Sequence, residues 1–236
     1  MAKIQHGNRR KHLNSLMKNL SSTIGKKWIV GLTGLGLVFF VISHLGGNLL
    51  LYVGADSYNA YAHALHSKEI LLAIAEIGLL ICFLAHILLA IQVSRENCRA
   101  RPDTYAMRRS KQGRSPMTPS AVMLVSGSIV LVFLLLHMAD MRFSLRHKVG
   151  PEVSPAAHTL MVLRDPISGT VYFLGSLFLG YHLWHGFQSM FQTFGLNDSR
   201  YTPWIKKIGL ALAIILGLGF ASFPVWGLLI KLGVVS

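Results

Sequence analysis

The sequence predicts an all-α integral membrane protein, a bundle of five transmembrane helices. The 236 residues are 52% hydrophobic and only 14% charged, whereas a soluble domain carries about a quarter charged residues. The hydrophobic residues are concentrated in five runs, each close to the ~20 residues that a helix needs to cross a ~30 Å hydrocarbon core. These runs are Trp28–Tyr52, Ile70–Val93, Ala121–Met138, Val171–Phe194 and Ile208–Leu229.

The composition of the runs favours membrane helices over other structures. Four runs contain no Asp, Glu, Lys or Arg, and the second contains only Glu76. A buried soluble core is the alternative, but five such runs in one chain disfavour it. Strands are disfavoured because a barrel strand is shorter and alternates apolar with polar residues. The first run begins only at Trp28 and is too long for a cleavable signal peptide.

The loops predict the orientation of the bundle. Seventeen of the 23 Lys and Arg residues lie in residues 1–27, in the loop 95–119 and between the last two runs. Positive charge is retained on the cytoplasmic side. We therefore expect a cytoplasmic basic segment over 1–27, a transmembrane domain over 28–231, a cytoplasmic basic loop over 95–119 and an external C-terminus. This arrangement accounts for the net charge of +14 without nucleic acid as a partner.

Histidines carry the functional signal. Polar side chains at membrane depth are costly and usually face a partner inside the bundle. A hydrogen bond to a neighbouring helix explains one such histidine equally well, but four successive runs each carry one. The histidines within the runs are His44, His86, His137, His182 and His185.

Depth sorts four of these histidines into two pairs. At 1.5 Å per residue, His44 and His137 lie roughly 22 and 24 Å above the cytoplasmic edge. His86 and His182 lie roughly 12 and 18 Å above it. We call His44 with His137 the outer pair and His86 with His182 the inner pair. His185 is one turn beyond His182, and spacing alone leaves it as an alternative.

Two imidazoles facing each other across a bundle suit the axial positions of a b-type haem. Zinc is disfavoured because it takes four ligands at closer spacing, often with Cys, and Cys82 and Cys98 form no CxxC motif. Small residues near the histidines fit a flat ligand, although glycine also serves plain helix packing. They are Gly36, Gly47, Gly78, Ala90, Gly175 and Gly186, and none lies near His137.

Five segments resemble a known family, the single-chain dihaem cytochrome b anchor of succinate:quinone oxidoreductases and quinol:fumarate reductases. They are SHLGGN (43–48), YNAYAHAL (58–65), AHILLAIQ (85–92), LHMADMRF (136–143) and GYHLWHGFQSMFQTFG (180–195). The resemblance implies two non-covalent haems with both pairs as axial ligands. It favours His182 over His185, because the family's ligand has Gly four residues later.

The resemblance also implies a place in respiratory complex II of a bacterial cytoplasmic membrane. Electrons would pass through the two haems between an iron–sulfur subunit and a quinone, expected to be menaquinone. A flavoprotein subunit would interconvert succinate and fumarate, so this chain would be the membrane subunit of the enzyme with no succinate site of its own. Some fumarate reductases of the family carry an acid two residues before the fourth-helix ligand. Gly180 stands there in this chain, which disfavours a transmembrane proton path of that kind.

The quinone site is predicted less sharply. The outer segment between the first two runs supplies candidate proton groups, of which Glu69 and His66 are favoured. Every candidate in this segment could equally be an ordinary interfacial residue, and the tyrosines among them are typical of the aromatic belts at membrane interfaces. Asp140 and Arg142 bind a haem propionate or mark the membrane interface. The remaining candidates are Tyr58, Tyr61, His63 and Glu76.

Two other functions remain open from the sequence. One is a cofactor-free transporter or scaffold whose histidines only join helices, which predicts a colourless preparation. The other is a dihaem cytochrome b of a different quinone-linked dehydrogenase, such as a formate dehydrogenase or hydrogenase. The soluble subunits that co-purify with the chain would distinguish this possibility from a succinate or fumarate complex.

Overall fold

The computed structural model describes residues 22–100, 119–196 and 198–235, and within them all regular secondary structure is helical. The helices are α1 (Thr23–Val53), α2 (Ala55–His66), α3 (Glu69–Arg99), α4 (Pro119–His137), a π-helical turn (Met138–Arg142), α5 (Pro155–Arg164), α6 (Pro166–Thr193) and α7 (Thr202–Lys231). The five predicted runs correspond to α1, α3, α4, α6 and α7. Most of the predicted basic segment 1–27 and basic loop 95–119 lies outside the described residues.

Four helices form a ring. Helix α1 packs against α3 and α6, and α4 packs against the same two helices from the opposite corner. Within the described residues, the diagonal pairs α1 with α4 and α3 with α6 do not form extensive backbone contacts. Residues on diagonal helices therefore face each other across the interior of the ring, which is where bundles build cofactor sites.

Helix α7 lies outside the ring. It packs along most of α6 and also contacts α1 and α5. The backbones of α6 and α7 approach closely where Gly180 meets Gly217, whose Cα atom would lie 3.1 Å from a Cβ placed on Gly180. Small residues at such crossings allow helices to pack without side chains between them.

Two short helices cover the end of the ring at which α1 ends, where the sequence predicted loops. Helix α2 follows Gly54, whose φ of 143° separates it from α1. Helix α5 begins with Pro155 after the N-cap Ser154, whose hydroxyl accepts from the backbone N–H of Ala157. The two are joined where Asn59 Oδ1 accepts from the backbone N–H of Ala156 at 2.9 Å. These caps are favourable helix starts.

The surface of the protein is that of a membrane protein. Helix α3 contains no fully buried residue, and many of its apolar side chains are more than half exposed. An apolar surface of this extent is unfavourable in water. Four helices are long and apolar enough to cross a membrane, namely α1, α3, α4 with its π-helical extension (Val122–Arg142), and α7. Length and composition do not establish α6 as a fifth span, because it carries more polar residues.

Candidate cofactor site

The outer pair meets across one diagonal of the ring. His44 lies on α1 and His137 is the last residue of α4, and their ring centroids are 5.9 Å apart at an interplanar angle of 83°. A metal–imidazole bond is about 2.0 Å long, so two imidazoles on opposite sides of one metal ion have centroids roughly 6 Å apart. The observed separation matches this value. The two imidazoles are therefore close enough to reach one metal ion, and an ordinary edge-to-face contact between aromatic rings has the same separation.

Aromatic side chains surround the outer pair. His44 stacks on Phe40 with ring centroids 5.3 Å apart, and its other neighbour, Phe220, comes from α7 at 5.7 Å. The ring of His137 lies 5.7 Å from that of Tyr172. An aromatic lining excludes water and provides a flat apolar surface. The sequence alone does not reveal these residues, because their positions become adjacent only when the helices pack.

The inner pair is oriented by oxygen acceptors from neighbouring helices. His86 Nδ1 lies 3.1 Å from the carbonyl oxygen of Val30 on α1 and 3.3 Å from Thr33 Oγ1. His182 Nδ1 lies 3.0 Å from Ser126 Oγ on α4. A histidine whose Nδ1–H donates to oxygen keeps the lone pair on Nε2 for a metal. Each inner histidine thus joins two helices through its Nδ1, which a metal ligand and a purely helix-joining histidine would both do.

Glycines on the neighbouring helices make room for the two inner imidazoles. A Cβ on Gly34 would lie 3.1 Å from His86 Cε1, and a Cβ on Gly127 would lie 3.2 Å from His182 Cε1. Both distances are tighter than normal contacts, so each ring lies directly against the backbone of the next helix. Neither glycine was predicted, because the sequence analysis considered only small residues on the same helix as each histidine.

The glycines that the sequence did single out serve mostly in packing. Tyr61 covers Gly47, where an added Cβ would lie 2.6 Å from its hydroxyl, and Phe133 covers Gly175. Gly78 faces open space with nothing within 4 Å of an added Cβ. Plain helix packing, the alternative left open from the sequence, describes Gly47 and Gly175.

The two histidines of α6 have different surroundings. His182 faces Ser126 and Gly127 of α4, inside the ring. His185 instead contacts Tyr181 and Trp184 of its own helix, with ring centroids 4.7 and 4.8 Å away. The geometry therefore favours His182 as the partner of His86.

The predicted quinone residues do not converge on one pocket. His66 and Glu69 are both exposed, and His66 Nδ1 lies 2.8 Å from the carbonyl oxygen of Ala62. Both side chains therefore lie on the surface of the described protein and not inside a pocket. Three other candidates have separate partners. Tyr58 Oη lies 3.3 Å from Thr159 Oγ1, and Tyr61 packs on Gly47. Glu76 Oε2 lies 3.5 Å from Arg142 Nη2, and His63 is exposed.

Asp140 and Arg142 do not act together. The side chain of Arg142 is half-exposed and pairs with Glu76 of α3. Asp140 is fully buried, and its Oδ2 lies 3.4 Å from Arg146 Nη1. The π-helical turn that contains both residues directs them to different sides of the chain.

Within the described part of the chain, no three His, Cys, Asp or Glu side chains form a group able to hold a metal ion. Cys82 and Cys98 are both free thiols, as expected from the sequence. Comparison of the chain with models of known protein families, with curated proteins and with solved structures finds no match.

Proposed function

We propose that this chain is a dihaem cytochrome b that carries electrons through a membrane between a soluble partner and a quinone. The observation that carries the proposal is the outer pair, two imidazoles on diagonal helices at the 5.9 Å separation that one iron ion requires. The inner histidines lie on the other diagonal, α3 and α6, and each has its Nδ1 bonded to oxygen.

The proposed roles follow from these contacts. A bound haem supplies a one-electron carrier whose potential depends on its axial ligands and on burial. His44 and His137 hold one group near the outer side, and His86 and His182 hold another nearer the cytoplasm. Ser126 fixes the orientation of His182, and the carbonyl of Val30 fixes that of His86.

The partner proposed for this cytochrome is a succinate dehydrogenase or fumarate reductase. The resemblance of residues 43–48, 85–92 and 180–195 to the anchor subunits of those complexes supports this assignment. The excess of Lys and Arg in the inner loops supports an iron–sulfur subunit docked on the cytoplasmic side, with the flavoprotein subunit beyond it. We further propose five membrane spans, α6 included, in a bacterial cytoplasmic membrane, with the N-terminus inside and menaquinone as the electron partner.

The haem-to-protein ratio of the complex, purified in mild detergent and measured as pyridine haemochrome, tests the proposal. We expect two b-type haems per chain. His182→Ala should reduce this to one, and His185→Ala, the matched control one turn away, should leave two. One haem in the wild type would make one pair structural, and none in a folded preparation would refute the cytochrome function.

The cofactors of the soluble subunits that co-purify with the chain identify the enzyme to which it belongs. Flavin with iron–sulfur clusters and succinate-dependent quinone reduction would support the succinate or fumarate complex. A molybdenum or nickel centre in their place would assign the same dihaem cytochrome to a different dehydrogenase.

A further inference from the structure

A group of polar side chains with buried Asp140 and Tyr172 and partly exposed neighbours lies at the outer end of the ring, separate from the four proposed ligands. We call it the outer polar cluster: Asp140, Arg146, His147, His158 and Tyr172. In the part of the chain that the structure describes, four buried side-chain atoms lack a hydrogen-bond partner, and all four belong to this cluster. They are Asp140 Oδ1, His147 Nδ1, His158 Nε2 and Tyr172 Oη. Buried polar atoms without partners are costly, so four in one place require an explanation.

Asp140 is the centre of the cluster. Its side chain is 0% exposed, and its two oxygens have different surroundings. Oδ2 lies 3.4 Å from Arg146 Nη1, whereas Oδ1 has no hydrogen-bond partner and lies 3.7 Å from His147 Nδ1. A small shift of the imidazole closes a gap of that size. Oδ1 is thus the oxygen positioned to exchange a proton with an imidazole.

The cluster extends from the interior of the ring towards the outer surface. Tyr172 forms its inner boundary, because its ring contacts His137 and its hydroxyl lies near Asp140. Arg146 forms its outer boundary, with a side chain 33% exposed that also donates to Ser168 Oγ at 3.0 Å. His158 reaches the cluster from α5, against the backbone carbonyl of Asp140. The groups therefore lie between the outer pair and the external aqueous phase.

We propose that Asp140, His147 and His158 transfer protons between the outer aqueous phase and a quinone at the outer end of the bundle. The inference rests on the proposed function. Reducing one quinone to quinol consumes two electrons, delivered through this chain from the soluble subunits, and two protons; the reverse reaction releases both. Carboxylate and imidazole groups within a few ångströms of each other are suited to carrying those protons.

The electrostatics of His158 agree with this role. Burial lowers the pKa of His158, and the neighbouring His147 lowers it further, whereas the Asp140 carboxylate raises it. Arg146 and Asp165 are the other charged groups at this end, and they lie 3.9 Å apart. The pKa of His158 is therefore sensitive to two other members of the cluster, His147 and Asp140.

The test compares Asp140→Asn and His158→Gln with Glu152→Gln, an exposed carboxylate of the same outer segment. Haem content, quinone turnover and its pH profile are measured on the whole complex, and the His158 titration is followed by ¹⁵N NMR. We expect two haems in every variant. Turnover should fall at least about tenfold in Asp140→Asn and His158→Gln, and the His158 pKa should fall in Asp140→Asn because a carboxylate has been removed. Glu152→Gln should match the wild type in all four measurements.

The outcomes separate this inference from the proposed function. Wild-type turnover in both Asp140→Asn and His158→Gln, with two haems retained, would refute the proton-transfer role alone. A wild-type complex without haem would refute the proposed function and the inference with it. If Asp140→Asn does not fold, His158→Gln decides, since wild-type turnover and pH profile in that variant would overturn the proposal.

Discussion

Replacing Gly180 by Ala should destabilise the protein, because the backbones of α6 and α7 touch at this residue. An added Cβ would lie 2.8 Å from the carbonyl oxygen of Ala213 and 3.1 Å from Gly217 Cα. Both obstacles are backbone atoms of α7, so no side-chain rotation relieves the contact. The two helices must move apart along their longest interface.

The size of the effect follows from two opposing contributions. An ordinary contact requires the helices to separate by roughly half an ångström, and overpacking of this kind costs about 1–3 kcal/mol. The higher helix propensity of Ala returns about 0.5–1 kcal/mol. We therefore expect a net loss of roughly 1–2 kcal/mol in the free energy of unfolding.

Thermal unfolding in mild detergent, followed by near-ultraviolet circular dichroism, measures this loss. The matched control is Gly78→Ala on α3, where nothing lies within 4 Å of the added Cβ. That variant should be as stable as the wild type or slightly more stable. Equal melting temperatures for Gly180→Ala and Gly78→Ala would show that the close approach of α6 and α7 does not limit stability.

Two further substitutions test individual contacts. Ser126→Ala removes the oxygen 3.0 Å from His182 Nδ1. If His182 holds a haem, the affinity of the protein for that haem should fall about 10–100-fold, measured as haem retention during gel filtration. Unchanged retention would exclude a role of Ser126 in orienting His182. Asp165→Ala removes the N-cap of α6, a bond of 2.8 Å from the backbone N–H of Ser168, and should cost about 1 kcal/mol at pH 7. Because that bond holds the pKa of Asp165 below its usual value, the stabilisation is present above the unfolded pKa of about 4. It is lost as the pH falls through the lower folded pKa, so a difference in melting temperature that persists unchanged to pH 2 would contradict the assignment.

The sequence predicted the long helices well because the membrane imposes a simple rule on them. A run such as Ile70–Val93 is apolar on all faces, and only a helix satisfies its backbone in lipid. Helices α2 and α5 were missed because they are short and lie at the outer end. Their positions depend on tertiary contacts such as that of Asn59 with Ala156, which the spacing of apolar residues along the sequence does not reveal.

The sequence predicted that His44 and His137 come together, but it did not predict the residues that surround the histidines. Depth along each helix depends only on residue count, so the sequence was able to group His44 with His137. Which residues support each imidazole depends on helix rotation and on neighbouring helices. Ser126 and Gly127 are therefore visible only once α4 and α6 are packed together.

Gly180 shows how one position connects packing with function. In some fumarate reductases that the chain resembles, the corresponding residue is an acid that moves protons with the electrons. Here the Cβ direction of residue 180 points at the backbone of α7, outside the four-helix ring. A carboxylate at this position would have to separate α6 from α7 before it reached any proton acceptor. The contact with α7 thus leaves no room for a larger side chain at position 180. The outer polar cluster around Asp140 remains the proton-transfer route that we propose from the described residues.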